Sequence, residues 1–253
     1  MNDIIFSAEE RERYARHFVL PEIGGPGQQK LKQAHVLVVG AGGLGAPALQ
    51  YLAAAGVGHI TIIDDDTVDL SNLQRQVIHT TQSVGTAKSI SAQNSLAAIN
   101  PHVTVKTITA RLVADNVAKF VRGKTVVLDG SDNFDTRYLL ADECEVAQVP
   151  LITAAVNKFD GSLTTLRPWE ENIDGQKYPR YQDLFPEKPT DGLLPTCAEA
   201  GVMGATTGIM GTMQAMECIK EIVGIGDGLV GKLLMFDGLS MRFQTISYKR
   251  LSK

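Results

Sequence analysis

The sequence predicts an α/β fold: a Rossmann-like, mostly parallel sheet flanked by helices, with antiparallel strands in the C-terminal half. Three observations carry this. Short apolar runs rich in β-branched residues recur at 35–39, 59–63, 125–128 and 151–155, separated by helix-like stretches, as strands buried on both faces require. The first run passes through Gly40-Ala-Gly42-Gly43-Leu-Gly45 into a helical segment, then into a second strand that ends in Asp64-Asp65-Asp66. Beyond residue 155 the rhythm changes. Residues 161–167 alternate like an antiparallel strand, and 232–236 and 242–248 read as a closing strand pair around Asp237-Gly238.

In chain order, Ser7 and Glu10 form a capping-box signature, so a helix is expected from there to about Val19. Pro21 and Gly24-Gly25-Pro26-Gly27 are expected to end it. The unit from His35 to Asp66 is strand, glycine turn, helix (46–55), strand and acid, the βαβ arrangement that binds an adenosine-containing nucleotide. Gly40, Gly42, Gly43 and Gly45 permit a tight turn and close backbone approach to a phosphate or ribose at the helix N-terminus, and Asp64 is placed to accept hydrogen bonds from a ribose. Alone, these features would also suit a nicotinamide oxidoreductase. The next residues argue otherwise: Asp66 to Gln76 is polar and irregular where a dehydrogenase would enter its next helix.

Asn72 and Arg75 are an amide and a planar fork donor three residues apart on that loop, suited to phosphate oxygens. Lys88 opens a helix over 89–99, where the helix dipole disfavours a cation unless it reaches an anion. The strand at 125–128 ends in Asp129-Gly-Ser-Asp132-Asn133, again an acid at the carboxyl end of a parallel strand, where open α/β sheets place ligands. Asp132 suits magnesium as a hard oxygen ligand, or else caps the helix over 134–148. Residues 170–195 are rich in proline and charge and read as a long functional or mobile loop. Cys197 precedes a helix over 204–223, either as a small packing residue or as a working thiol. That helix carries Met210, Met213 and Met216 among small residues, a pattern that suits core packing and close helix approach, or a dimer contact.

In bulk the chain reads as one soluble domain, residues 1–253, with a nucleotide-binding half (about 30–155) and a second half (about 156–253). At 253 residues, 44% hydrophobic and 21% charged, it can bury a substantial core. The net charge of −4 and the lack of basic runs give no support to nucleic-acid binding. The N-terminus lacks the pattern of a signal peptide, and no apolar run suits a membrane span. Three scattered cysteines argue against a disulfide framework, so the expected address is the cytoplasm.

Five stretches together resemble the MoeB/ThiF/HesA family, bacterial relatives of ubiquitin-activating enzymes: GAGGLG (40–45), DDDTVDLSNLQRQ (64–76), VGTAK ending at Lys88, DGSDNFDTR (129–137) and TCAEAGVMG (196–204). The resemblance implies ATP rather than a nicotinamide, and adenylation of the C-terminal carboxylate of a ubiquitin-fold sulfur-carrier protein with a Gly-Gly tail. It implies that Arg75, Asn72 and Lys88 serve ATP phosphates and that Asp132 holds Mg2+. It also implies a homodimer in which Arg16 reaches the partner's ATP site. The matching segment is Arg13-Tyr14-Ala15-Arg16-His17, with His17 where a glutamine is usual. The loop over 170–195 would cover the carrier's tail. Many relatives bind a structural zinc through two CxxC pairs; here Tyr178-Pro-Arg-Tyr181 stands in the first region and no cysteine pair follows, so no zinc is expected. Cys197 matches a region where some relatives form a covalent intermediate with a carrier or sulfur donor, so a sulfurtransferase or cysteine desulfurase is a possible further partner. TCAEAGVMG and residues 184–187 (LFPE) lean toward the molybdopterin synthase small subunit as carrier, with the thiamine-pathway carrier as the alternative.

Overall fold

The computed structural model describes residues 6–188 and 201–251. Its strands are β1 (His35–Val39), β2 (His59–Ile63), β3 (Thr104–Ile108), β4 (Val126–Asp129), β5 (Leu151–Asn157), β6 (Asp160–Leu166), β7 (Lys232–Asp237) and β8 (Arg242–Ser247). They form one sheet in the order β3-β2-β1-β4-β5-β6-β7-β8. The pairings from β3 across to β5 are parallel, and those from β5 onward are antiparallel. This is the predicted class, a parallel α/β sheet extended by antiparallel strands. Strand β1 lies between β2 and β4, so the chain order reverses there and a crevice opens at the carboxyl ends of those strands.

The unbroken apolar runs are explained by helices on both faces. Val36 and Val38 pack on the side of α3 (Gly24–Gln33), α4 (Gly45–Ala54) and α5 (Lys88–Ile99), with Leu31, Leu49, Leu52 and Leu96. Leu37 and Val39 pack on the other side, with α6 (Ala114–Val121) and α7 (Phe134–Ala147), against Val117, Val121 and Leu140. A short helix, α8 (Tyr181–Leu184), adds buried Tyr181 to that second core.

The last long helix, α9 (Gly204–Val223), lies across α4. Small residues make this possible. A Cβ on Gly211 would fall 2.2 Å from the Leu44 carbonyl oxygen and 2.6 Å from Pro47 Cγ, and one on Gly204 would fall 2.2 Å from the Gln74 carbonyl oxygen. Met210 is wholly buried in the core and Met213 packs against it, whereas Met203 and Met216 are exposed.

Two N-terminal expectations need correction. The first helix is broken at Tyr14 into α1 (Ala8–Arg13) and α2 (Ala15–Phe18). Tyr14 is drawn inward, where its hydroxyl accepts a 2.8 Å hydrogen bond from buried Asn100 and its ring covers Gly56. The glycine–proline cluster, expected to be a break, instead begins α3. Pro26 falls in the first turn, where a helix has no use for its missing N–H. Gly27 is buried against Ile23 and Val223, where a Cβ would fit tightly, 3.1 Å from Val223 Cγ1 and 3.2 Å from Ile23 Cγ2.

Candidate functional site

The crevice holds a cavity of about 320 Å³ that β1, β2 and β4 face with their carboxyl ends. Its floor is the glycine turn. Gly40 has φ +92°, and a Cβ there would stand 2.8 Å from the Gly130 carbonyl oxygen. A Cβ on Gly45 would meet the Gly40 carbonyl oxygen at 1.9 Å, so the turn closes only with glycine at that place. Gly43 sits under Thr207 of α9, while Gly42 has only the Gln76 amide within 4 Å.

Asp64 braces this turn rather than standing free. One carboxylate oxygen accepts from the Ala41 amide at 2.7 Å and the other from the Asp66 amide at 2.9 Å. Burial pushes its carboxyl up, and the two amides pull it back. His79, which no spacing in the sequence singles out, supports the turn from beneath. Its Nε2 lies 2.9 Å from the Ala41 carbonyl oxygen and its Nδ1 2.9 Å from Ser91 Oγ. A carbonyl only accepts, so Nε2 carries the proton and Nδ1 accepts from the serine hydroxyl. Burial lowers the pKa of His79, which stays neutral near pH 7.

Lys88 is buried at the start of α5, and its Nζ contacts Asp66 Oδ2 at 2.7 Å. The anion it reaches within the chain is therefore Asp66, and both residues line the cavity. Arg75 lines it too, its Nη1 donating to the Ser71 carbonyl at 3.2 Å. Asn72 lies outside the lining, and its Oδ1 accepts from the Asp69 amide at 3.3 Å in a single 3₁₀ turn. Arg16 is exposed on α2 and also lies outside the lining of its own chain's cavity. Cys197 falls outside the described residues, as does part of the 170–195 loop; Cys144 and Cys218 are buried, and burial raises both thiol pKa values.

Asp132 is exposed at the margin of the cavity, and among the described residues its carboxylate has no hydrogen-bond or ion-pair partner. The capping role considered for it belongs to Asn133, whose Oδ1 accepts from the Thr136 amide at 2.9 Å. Its hard oxygens are left for a cation, and they fit magnesium. Asp64, Asp65 and Asp66 also converge, with oxygens within 4.8 Å of one another. Asp64 and Asp66 are already engaged there by backbone amides and by Lys88. Gln76 Oε1 is buried beside the cavity with no hydrogen-bond partner among the described residues, an acceptor left for a ligand hydroxyl or amino group.

The cavity does not end at Asp132. A second hollow, of about 640 Å³, runs over the antiparallel strands β5 to β8, past Ser162, Met235 and Gln244. Asp132, Arg137 and Val156 line both. Sequence reasoning passed over Arg137, Arg111, Gln76 and His79 as lining or supporting residues. Arg137 could have been found, because it closes the DGSDNFDTR stretch one helical turn into α7.

Residues 14–253 match the ThiF family. The SAMP-activating enzyme E1 of Haloferax volcanii is 47% identical over 96% of this chain and 87% of its own length. The sulfur carrier protein adenylyltransferase of Thermus thermophilus is 43% identical over 97% of this chain and 90% of its own. The probable adenylyltransferase/sulfurtransferase MoeZ of Mycobacterium tuberculosis is 46% identical over 96% of this chain, which spans 62% of MoeZ. Among solved structures, E. coli MccB with ATP superposes with a TM-score of 0.80 at 21% identity, covering 94% of this chain and 72% of that one; at that identity it speaks for the fold alone. A family match over nearly the whole length, with relatives this similar, makes the chain a member of the ThiF family.

Proposed function

We propose that the protein is an ATP-dependent adenylyltransferase that activates the C-terminal glycine carboxylate of a ubiquitin-fold sulfur carrier. The observation that carries this is the continuity of the two hollows. A nucleotide pocket built on the glycine turn opens, at Asp132 and Arg137, into a groove of about 640 Å³ over the antiparallel sheet, which we assign to the carrier's extended tail. A terminal carboxylate entering by that groove arrives where the phosphates of a nucleotide seated on the turn would end. The relatives named as adenylyltransferases support the same reading. In this account the half from about 30 to 155 binds nucleotide, and the half from about 156 to 253 receives the carrier.

The reaction needs no nucleophile from the enzyme. A carboxylate oxygen of the carrier attacks the α-phosphorus, the bond to pyrophosphate breaks with its electron pair, and an acyl-adenylate results. The chain's own part is positioning and charge neutralisation. The turn of Gly40, Gly42, Gly43 and Gly45 lets the phosphates approach the backbone, and Asp64 and Asp66 hold the turn and Lys88 in place. Lys88 and Arg75 face the phosphates, and Asn72 joins them if its cap on Asp69 opens. Mg2+ held by Asp132 would offset phosphate charge when bound. Arg16 serves the site of a second copy in a homodimer.

The carrier we favour is the molybdopterin synthase small subunit, on the residues at 184–187 and 196–204. The acyl-adenylate would then be consumed by a sulfur donor, a sulfurtransferase or cysteine desulfurase, with Cys197 the thiol available to that later step. Carrier-dependent ATP–pyrophosphate exchange, run with the molybdopterin and thiamine carriers side by side, tests the proposal. Exchange is expected with the molybdopterin carrier, lost in Asp132→Ala and near wild type in Cys197→Ala. Exchange with neither carrier would overturn the reading, and exchange with the thiamine carrier alone would reassign the substrate.

A further inference from the structure

We propose that Arg137 receives the carrier's terminal carboxylate and holds it against the α-phosphorus, a role that rests on the adenylyltransferase reading. Position points to it first. Among the described residues, those that border both hollows are Asp132, Arg137 and Val156, and Arg137 is the cation of the three. An anionic chain terminus passing from the groove to the nucleotide must go by this guanidinium.

The side chain is also preorganised, being only 11% exposed. Its Nη2 donates to the Ser131 carbonyl at 3.1 Å, and its Cζ lies 5.4 Å from the centre of the Phe134 ring. Behind it stands Asp129, wholly buried, with carboxylate oxygens that accept from Ser131 and from Thr153 Oγ1. Arg137 Nε is 3.7 Å from Asp129 Oδ2, beyond hydrogen-bond length, and is buried without a hydrogen-bond partner among the described residues. The guanidinium is thus fixed in place beside the junction, a planar cation of the kind that suits a carboxylate.

Charge balance points the same way. Without Arg137 the junction would present the Asp132 carboxylate to an incoming carboxylate, and like charges at a partly buried site repel strongly. The other arginine of the groove, Arg242, faces Asp237 across the β7–β8 pair and does not border the nucleotide cavity. Arg137 therefore makes entry of the tail possible and orients the oxygen that will form the bond to phosphorus. The tail carboxylate is already ionised, so no proton need move.

The experiment compares two carriers, the natural carboxylate terminus and the same chain ending in a carboxamide, binding to wild type, Arg137→Met and Arg137→Lys in the presence of a non-hydrolysable ATP analogue. Wild type should prefer the carboxylate by roughly 30-fold or more. Arg137→Met should lose that preference, with the carrier KM in pyrophosphate exchange raised by a similar factor and the ATP KM within about twofold. Arg137→Lys should restore much of the preference but less of the rate, because an ammonium supplies charge without the fork. Stabilisation by ATP reports that each variant is folded, and Arg137→Lys carries the comparison if the methionine variant is not. A variant that keeps the full wild-type preference, with wild type active, overturns this proposal alone. Wild type that shows no carrier-dependent exchange overturns the adenylyltransferase reading, and this proposal falls with it.

Discussion

His79 and Lys88 stand close to the same glycine turn, and each is set by its neighbours. Lys88 is paired with Asp66 at 2.7 Å. His79 loses its charge chiefly to burial, with Lys88 adding to the effect and the Ala41 carbonyl opposing it. This has a consequence for pH. A histidine whose folded pKa lies below the ordinary 6.5 binds protons more readily unfolded, so its effect on stability is absent above about pH 6.5 and grows unfavourable as pH falls. His35, depressed first by burial and then by Lys124, His59 and Lys106, acts with the same sign. Asp64, raised by burial, acts in the opposite sense as pH climbs above the ordinary carboxylate value of 3.8. The melting temperature of the wild type relative to His79→Gln isolates one contribution. Between about pH 6.5 and pH 5 the wild type should fall more steeply, because glutamine can still donate to the Ala41 carbonyl but does not titrate. Parallel curves would mean that His79 is protonated as easily in the folded chain as in the unfolded one.

At the scale of elements, the contact between α4 and α9 sets the shape of the site. It brings Thr207 over Gly43 and carries Gln214 to donate at 2.7 Å to the Asp129 carbonyl. The contact depends on Gly211, which has the Leu44 carbonyl where a side chain would be. Gly211→Val should therefore destabilise the protein by about 1–3 kcal/mol or more, since a backbone oxygen cannot step aside as a side-chain tip can. Gly208, on the same helix, has open space around it, with no atom within 4 Å of where a Cβ would stand. Gly208→Ala should accordingly be neutral or slightly stabilising. Urea denaturation of both variants tests the pair, and a Gly211→Val variant as stable as wild type would show that α9 can shift along α4 without penalty.

For the molecule as a whole, the proposed active unit is a homodimer. Val19, Leu20, Tyr51 and Met216 are large apolar residues left exposed on or beside α2, α4 and α9, and Arg16 is presented on α2 away from its own chain's cavity. If Arg16 acts in the partner's site, Arg16→Ala and Asp132→Ala should complement. In a mixed dimer one site is whole and the other carries both lesions. Random exchange makes about half of the dimers mixed, so activity should return to roughly a quarter of wild type. Verified heterodimers as inactive as either parent would confine Arg16 to its own subunit's surface.

No helix among the described residues is long and apolar enough to cross a membrane. The α/β class, the parallel strands and the glycine turn were legible in the linear sequence because they rest on local rules. Buried strands read as unbroken apolar runs, and a turn that brings a carbonyl oxygen to 1.9 Å from where a Cβ would stand, as at Gly45, admits only glycine. The stretches SNLQRQ and DGSDNFDTR likewise marked the loops that the fold brings to one crevice. Other features depended on residues far apart in the chain. Tyr14 breaks its helix because Asn100, 86 residues away, holds its hydroxyl. The glycines at 24–27 enter a helix whose Gly27 packs closely on Val223, a residue from near the other end of the chain. His79 becomes a support through Ala41 and Ser91, and Arg137 becomes a junction residue only once β5 to β8 extend the sheet beside it. Periodicity and turn chemistry are properties of neighbours in sequence, whereas the partner that decides a side chain's charge, rotamer or access to solvent is a neighbour in space.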